Sequence, residues 1–319
     1  MQTLTLTLKP LSAFGTLPLG DTLFGQLCWL LREHEGEAKL TELLQDYTTG
    51  NPFAVVSDAF PCGYVPRPTV PMHFFHKDEN ADRKAVKKKV WLPLDAIQKP
   101  FADWLGVCEA KDFLEEHLQQ HNSINRATGT TGEGFAPYTL DQYWYKADTL
   151  LNVYIVFNES KISAEQLRAT FKTMGLFGFG RDASIGLGKF ELLEAATKTL
   201  PAIANANANA NAVLTLAPCA PQGCGFDAKR SYYQLFTRFG RHGGSAVQSG
   251  NPFKTPVLMA NTGAVFSSNL FNATTLFVGQ GLGGLNDKGE GILSKQIPAT
   301  VQQGYAPVIP IHFPAQEHP

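Results

Sequence analysis

A glycine-rich stretch, residues 175–189, holds residue types with a clear capacity for chemistry. It matches the G-x-G-x-x-A pattern of dinucleotide loops from Gly178 to Ala183, but such loops leave a strand and open a helix, the reverse of the order predicted here. A P-loop is excluded because Phe190 follows Lys189 where Ser or Thr is needed. Two interpretations remain: a backbone whose N–H groups and cations face phosphates, or a connector that needs glycine only for its turns. The candidate phosphate-binding residues are Gly178, Gly180, Arg181, Ser184, Gly186, Gly188 and Lys189.

A second candidate is the polar loop of residues 122–132. It is free of acids and places one arginine among amides and hydroxyls, which suits contacts to phosphates or ribose hydroxyls. The candidate contacts are Asn125, Arg126 and Thr128. An ordinary solvated loop would have the same composition.

A third candidate is a basic segment, residues 83–89, with five cations and no acid. Its candidate contacts are Arg83, Lys84, Lys87, Lys88 and Lys89, with Arg67 further upstream. A solvated charged surface explains the run equally well. Basic and aromatic residues also alternate between Lys229 and His242, a pattern typical of nucleic-acid stacking surfaces and of half-buried strands alike.

Signals for catalysis are weak. The chain has no nucleophile elbow, no H-E-x-x-H motif and no carboxylate pair at metal-binding spacing, so neither a catalytic residue nor a metal or other cofactor is predicted. His73 and His76 lie beside the basic segment and could act as an acid–base pair that cleaves RNA through its 2′-hydroxyl. An endoribonuclease therefore stays open as an alternative.

The elements that must position these residues can be read along the chain. Residues 3–8 alternate Thr and Leu, which predicts a strand; a helix capped by Asp21 follows, and residues 150–157 form a buried strand. Ser163 and Gln166 form a capping box for a helix that ends before the glycine-rich stretch, and a strand follows Lys189. This order fits a β-α-β-β-α-β unit if a second strand lies near residues 142–145. Residues 101–121 are predicted to form an acidic helix, whose charge disfavours it as an RNA face.

The predicted organisation has three parts. Residues 1–200 form the first domain, with an inserted, arm-like segment at residues 52–100. Residues 201–212 are a low-complexity Ala-Asn linker, and residues 213–319 form a second, strand-rich domain. Its strands are expected within residues 213–217, 232–239, 274–278 and 305–313.

Composition limits the class of protein. The 319 residues include 27 Lys and Arg and 28 Asp and Glu, a net charge of −1, which excludes a uniformly basic histone-like chain but allows a local basic face. The five cysteines form no C-x-x-C pair and are expected to be free thiols. With no leader-like N-terminus and no apolar run of membrane-spanning length, we expect a cytoplasmic protein with no membrane contact.

Five segments in this order resemble those of the CRISPR-associated RAMP proteins. The segments are residues 21–25 (DTLFG), residues 58–61 (DAFP) followed by 66–68 (PRP) and 87–94 (KKKVWLPL), residues 125–129 (NRATG), the glycine-rich residues 178–190, and residues 304–306 (GYA). The resemblance covers about the first 195 residues well and the last third loosely. Among RAMP proteins, the chain is similar to the subunit that caps the crRNA handle in type III-A effector complexes.

The resemblance carries a set of expectations. It implies an α+β fold of two ferredoxin-like (RRM-like) domains, the first with a long thumb-like arm that carries over onto Arg67 to Lys89. It implies binding of the crRNA 5′ handle through residues 125–128 and 178–189, and contact with target RNA only indirectly. The implied protein partners are the large polymerase-like subunit and a backbone RAMP subunit, in antiviral defence. The implied role is structural and not enzymatic; a RAMP endoribonuclease and the capping subunit of another type III complex are the alternatives.

Overall fold

The structure is a computed structural model that describes residues 1–76, 82–132, 134, 136–193, 209–243 and 251–314. Five helices lie within these residues: α1 (Gly20–Glu35), α2 (Glu37–Leu44), α3 (Arg83–Lys88), α4 (Trp104–Val107) and α5 (Ala164–Phe177). The strands of the first half are β1 (Gln2–Pro10), β2 (Ala54–Pro61), β3 (Tyr64–Pro66), β4 (Trp91–Pro93), β5 (Leu114–His121), β6 (Tyr138–Tyr145), β7 (Leu151–Phe157) and β8 (Phe190–Leu193). Those of the second half are β9 (Ala212–Thr215), β10 (Leu235–Arg238), β11 (Val257–Ala260), β12 (Val265–Ser267), β13 (Phe277–Gly283) and β14 (Val301–Ile311).

The first sheet has the strand order β2-β7-β1-β8 and is antiparallel throughout. Its apolar residues pack against the buried faces of α1 and α5, and the buried residues of α1 include Leu23, Leu27, Leu30 and Leu31. Tyr154 and Phe60 belong to a second cluster, which includes residues of the second sheet. The central strand β7 is therefore buried over its whole length, and β1 is buried from Leu4 to Leu8.

The first sheet shows the order β-α-β-β-α-β, but its second strand is not where the sequence analysis put it. That strand is β2, whereas residues 142–145 lie in β6, which pairs with β5 outside the sheet. The predicted inserted arm at residues 52–100 thus begins with a core strand. The apolar run from Ala54 to Val56 is fully buried, and this burial stabilises it as part of the sheet.

The start of α1 also differs from expectation. Leu19 precedes the helix without a side-chain cap, and Asp21 lies inside the first turn. The Asp21 carboxylate is buried and accepts hydrogen bonds from Arg238, 217 residues away in the chain. The predicted capping role for Asp21 is therefore wrong: the residue joins the two halves of the chain.

A protruding hairpin replaces the helix predicted for residues 101–121. Only residues 101–107 are helical, and β5 and β6 pair over eight residues each, from Leu114 opposite Tyr145 to His121 opposite Tyr138. Leu118, Tyr138 and Trp144 are exposed, so most of the hairpin stands away from the protein body. Glu115 and Glu116, two acidic residues of that predicted helix, lie on a solvent-facing strand, where their charges are equally well hydrated.

The second half contains a sheet with the order β12-β9-β14-β13. The described residues between 209 and 314 contain no helix, and this strand order differs from that of the first sheet. The expectation of a second ferredoxin-like domain is therefore not met by these residues. Up to residue 208 the Ala-Asn tract lies outside the described residues, but Asn211 is fixed by hydrogen bonds with Phe313, and Ala212 already begins β9.

Candidate nucleic-acid interface

The glycine-rich stretch folds as a closed loop between α5 and β8. Gly178 ends α5 by donating its N–H to the carbonyl oxygen of Met174 at 2.9 Å. Phe179 is buried, and its N–H donates to the carbonyl oxygen of Gly188 at 2.9 Å, which closes the base of the loop. The capping box of Ser163 and Gln166 is present at the other end of α5, as predicted.

Glycine is required at this closure because two backbone segments touch there. Gly188 has φ +69°, and a Cβ on it would lie 2.0 Å from the carbonyl oxygen of Phe179. Gly186 has φ +101° but faces open space, so only the backbone conformation demands glycine at that position. Positive φ angles also occur at Gly178 and Gly180.

The N–H groups of three candidate glycines are already paired within the fold. Gly178, Gly186 and Gly188 donate to the carbonyl oxygens of Met174, Ala183 and Ala13, respectively. This corrects the expectation that their N–H groups face phosphates, because a donor already paired in the fold gains little from a second acceptor. The loop instead offers the exposed side chains of Arg181, Ser184 and Lys189 to a ligand.

Arg181 connects this loop to the protruding hairpin. Its guanidinium donates to the carbonyl oxygen of Asp141 in β6, and its Nε lies 3.4 Å from the Asp182 carboxylate. Its backbone N–H donates to Thr16 Oγ1 at 3.1 Å. The positive charge of the Arg181 guanidinium is therefore held at the edge of the hairpin.

The loop of residues 122–132 forms the first part of the hairpin tip. Asn125 Oδ1 accepts from the N–H of Ala127 at 2.9 Å, and the carbonyl oxygen of Asn125 accepts from the N–H of Gly129 at 2.8 Å. The Thr128 and Thr130 hydroxyls lie 2.9 Å apart. These bonds order a tight turn on which the Arg126 side chain is exposed.

The two loops lie along one hairpin. Arg181 contacts β6 at Asp141, and the last strand pair before the tip is at Tyr138, three residues or about 10 Å further along. At that pair the rings of His121 and Tyr138 stack with their centroids 5.2 Å apart. An aromatic platform therefore lies between the two arginines, a feature that the sequence analysis missed because these residues are paired by the hairpin and not by sequence proximity.

The basic segment is a separate surface. Arg83, Lys84, Lys87 and Lys88 are exposed on α3, which Asp82 caps. Arg67 donates to the carbonyl oxygen of Val86 at 2.9 Å, so it braces this helix, and Lys89 is half-buried. The chain after α3 meets the hairpin at the opposite end from residues 122–132, where Trp91 contacts Phe113.

The two candidate catalytic histidines have separate neighbours. His73 lies against the ring of Phe74, with centroids 4.3 Å apart, and His76 Nε2 lies 3.4 Å from Asp103 Oδ1. Across the described ranges, no group of three or more His, Cys, Asp or Glu residues is arranged to hold a metal ion. No described helix is long and apolar enough to cross a membrane.

A buried carboxyl group at the junction of the two halves escaped the sequence analysis. Asp58 is buried, and its carboxylate accepts hydrogen bonds from the Gly20 N–H at 2.7 Å and the Thr262 hydroxyl at 2.5 Å. Burial raises the pKa of Asp58 to about 7, although both hydrogen bonds act in the opposite direction. The position follows from long-range packing, for which Asp58 carries no local signal.

Asp58→Asn tests this environment. Because the pKa of Asp58 is raised in the fold to about 7, the wild type loses stability as the pH rises from about 4, the usual pKa of an aspartate, to about 7, and the loss is complete above that pH. We expect Asp58→Asn to raise the free energy of unfolding at pH 8 by at least about 1 kcal/mol and to change it much less at pH 5. Urea unfolding at the two pH values measures the difference; an equal effect at both would contradict the raised pKa.

Comparison with solved structures identifies the fold. The chain is similar to a chain in the crystal structure of a Csm1–Csm4 cassette in complex with pppApA, with a TM-score of 0.60, 12% identity, and coverage of 99% of this chain and 100% of that one. It is also similar to a chain of a Csm3–Csm4 subcomplex of the type III-A CRISPR-Cas interference complex, with a TM-score of 0.59, 15% identity, and coverage of 97% and 99%. Csm4 is the one subunit common to both assemblies. No model of a protein family and no curated protein matches the sequence.

Proposed function

We propose that this chain, which shares its fold with subunits of type III-A CRISPR complexes, is an RNA-binding and non-catalytic subunit of the Csm4 type. It would hold the 5′ handle of a crRNA, cap the backbone filament, and contact a large polymerase-like subunit and a backbone RAMP subunit. The observation that carries the proposal is the alignment of the Arg181 loop and the Arg126 turn along one exposed hairpin. The first sheet, with its two helices, is then a ferredoxin-like unit.

The chemistry of the hairpin suits single-stranded RNA. Two arginines on one hairpin can neutralise phosphates of one strand, and the His121–Tyr138 stack between them offers an aromatic face to a base. Ser184, Thr128 and Asn125 add groups able to contact ribose or phosphate. Affinity should come mainly from charge, with stacking as a second contribution.

We assign the thumb-like arm to β5 and β6 and not to residues 52–100. The segment after β2 is packed, since Val65, Leu92 and Trp104 share a buried cluster with residues of the second sheet. The hairpin instead exposes both faces beyond its base, where Tyr143 and Tyr145 pack against the main core. Only an exposed element such as this hairpin can enter a groove on another molecule.

Replacing Arg126 or Arg181 with alanine tests the RNA contact. Each change should weaken binding of the repeat-derived handle RNA about three- to tenfold, and should reduce the slope of log affinity against log salt by about 0.7. Fluorescence anisotropy with labelled handle RNA over a salt series measures both quantities. Arg168→Ala, which removes an exposed arginine from the first half of α5, is the matched control and should bind as the wild type does.

Unchanged affinity in both variants would argue against this interface. The same RNA incubated without metal distinguishes the enzymatic alternative. Cleavage that disappears in His73→Ala or His76→Ala would replace the structural role with an endoribonuclease activity.

A further inference from the structure

A two-stranded ribbon in the second half has two different faces. The pairing of β10 with β11 extends beyond both strands through the Arg241–Phe253 bridge and the 2.9 Å bond from the Lys254 N–H to the carbonyl oxygen of Gly240. Along residues 235–242 exposure alternates, with the odd-numbered side chains outward. Phe253 and Leu258 are outward on the other strand. We call the side chains of Leu235, Phe239, Arg241, Phe253 and Leu258 the outer ribbon face.

The inner side chains fix the ribbon to the protein body. Arg238 forms two hydrogen bonds with the Asp21 carboxylate, at 2.7 and 3.0 Å. His242 Nε2 lies 2.8 Å from the hydroxyl of Ser294, and Met259 is fully buried. These contacts hold the inner side of the ribbon against the protein body, so the ribbon cannot rotate to bury its outer side chains.

The outer ribbon face is apolar and uncovered within the described residues. Leu235 is 55% exposed, Phe239 75%, Phe253 63% and Leu258 50%. Single exposed apolar residues are common, but four large ones on one side of a two-stranded ribbon form a patch of the kind that monomers avoid and interfaces use. The fold thus holds this patch in place without burying it.

The charge of the segment indicates what would cover the patch. Between Asp227 and Asp287 the sequence has no acidic residue. Arg241 belongs to the patch, with its guanidinium carbon 5.7 Å from the centre of the Phe253 ring. Arg241 is the cation of a face whose own residues include no carboxylate, so this face complements an acidic border.

We propose that the outer ribbon face is a docking surface for a partner protein whose apolar side chains are bordered by carboxylates. The proposal rests on the proposed function, which makes that partner a protein subunit of the same assembly. An aromatic or aliphatic residue of the partner would pack between Phe239 and Leu258, and a carboxylate would pair with Arg241.

RNA is the less favoured occupant. Arg238 is already paired with Asp21, and Arg230 donates to the carbonyl oxygen of Phe313, so few cations of this segment are left for phosphates. Leu235 and Leu258 offer neither stacking nor hydrogen bonds to bases. Their burial against another protein is what would contribute free energy.

Hydrogen–deuterium exchange on the full chain tests the surface. The tagged chain is purified from its native host with its bound subunits, and its exchange is compared with that of the isolated chain. Peptides covering residues 235–241 and 253–258 should exchange at least tenfold more slowly in the assembly. Equal exchange in the two states overturns the docking surface, whatever the identity of the other subunits.

Variants identify the chemistry of the occupant. Phe239→Asp and Leu258→Asp should each reduce recovery of the protein subunits at least tenfold, and Arg241→Glu should do so as well. Leu270→Asp is the control, because Leu270 is equally exposed but lies outside the ribbon, and its subunit recovery should be unchanged. All four variants change exposed side chains, and a melting temperature equal to that of the wild type verifies the fold.

Other occupants give other results, each of which contradicts the proposal. A parallel loss of handle RNA affinity in Phe239→Asp would make the occupant RNA, and a wild-type dimer that the variants abolish would make it a second copy. A native assembly that contains neither CRISPR subunits nor crRNA would refute the proposed function alone, since protection of the ribbon and its loss in the variants are still measured there.

Discussion

Arg238→Ala should lower the free energy of unfolding by about 3 kcal/mol at pH 8. The change leaves the buried Asp21 carboxylate without the cation that stabilises its charge. Burial already raises the pKa of Asp21 and Arg238 opposes that shift, so without Arg238 the carboxyl group takes up a proton more readily. The loss of stability should therefore be smaller at pH 5 than at pH 8.

Urea unfolding at both pH values measures this effect. Arg241→Ala is the matched control, because Arg241 lies on the same ribbon but faces outward, and its replacement should change stability by no more than about 0.5 kcal/mol. In a double-mutant cycle with Asp21→Ala, the two losses should be clearly non-additive. An Arg238→Ala protein that unfolds like the wild type at pH 8 would show that the ion pair does not join the two halves.

Gly188→Ala should be the most disruptive change in the candidate interface. The new Cβ would lie 2.0 Å from the carbonyl oxygen of Phe179 and would also force a non-glycine residue to φ +69°. Relief of that clash requires breaking the bond between Phe179 and Gly188 that closes the loop. We expect a loss of about 3 kcal/mol or more, together with loss of the Arg181 contact to the hairpin.

Gly186→Ala separates the effect of the steric clash from the effect of the backbone conformation. Gly186 has φ +101°, but no atom lies within 4 Å of the position that a methyl group would take there, so only backbone strain applies, at a cost of about 1–2 kcal/mol. Thermal unfolding of both variants provides the comparison. Equal destabilisation of the two would mean that the close approach at Gly188 contributes nothing beyond its backbone conformation.

Patterns that span only a few residues correctly predicted those helices and strands whose formation depends on neighbouring residues. Thr-Leu alternation marked β1, the apolar run at residues 150–157 marked β7, and Ser163 with Gln166 marked the start of α5. These signals depend on neighbours within a few positions, so the sequence alone contains them.

Elements determined by distant contacts were predicted poorly. Residues 114–121 form a strand because β6 pairs with them, and their sequence Leu-Glu-Glu-His-Leu-Gln-Gln-His is compatible with a helix or a strand. Asp21 looked like a helix cap because it lies at the start of the helical pattern. Its actual partner, Arg238, lies 217 residues further along the chain, so no local signal pointed to it. In the glycine-rich loop the sequence located the positive φ angles, but it could not show that Gly188 donates its N–H to Ala13.

One side-chain amide couples the beginning of the chain to its end. Gln303 in β14 is buried, its Oε1 accepts from the Val56 N–H at 2.8 Å, and its Nε2 donates to the carbonyl oxygen of Val56 at 2.7 Å. The amide thus pairs with both backbone hydrogen-bonding groups of Val56, as a peptide group of a neighbouring strand would. During synthesis, Val56 is added to the chain 247 residues before Gln303. The amino-terminal sheet must therefore wait for the last strand before its hydrogen bonding is complete, and the two halves mature as one cooperative unit.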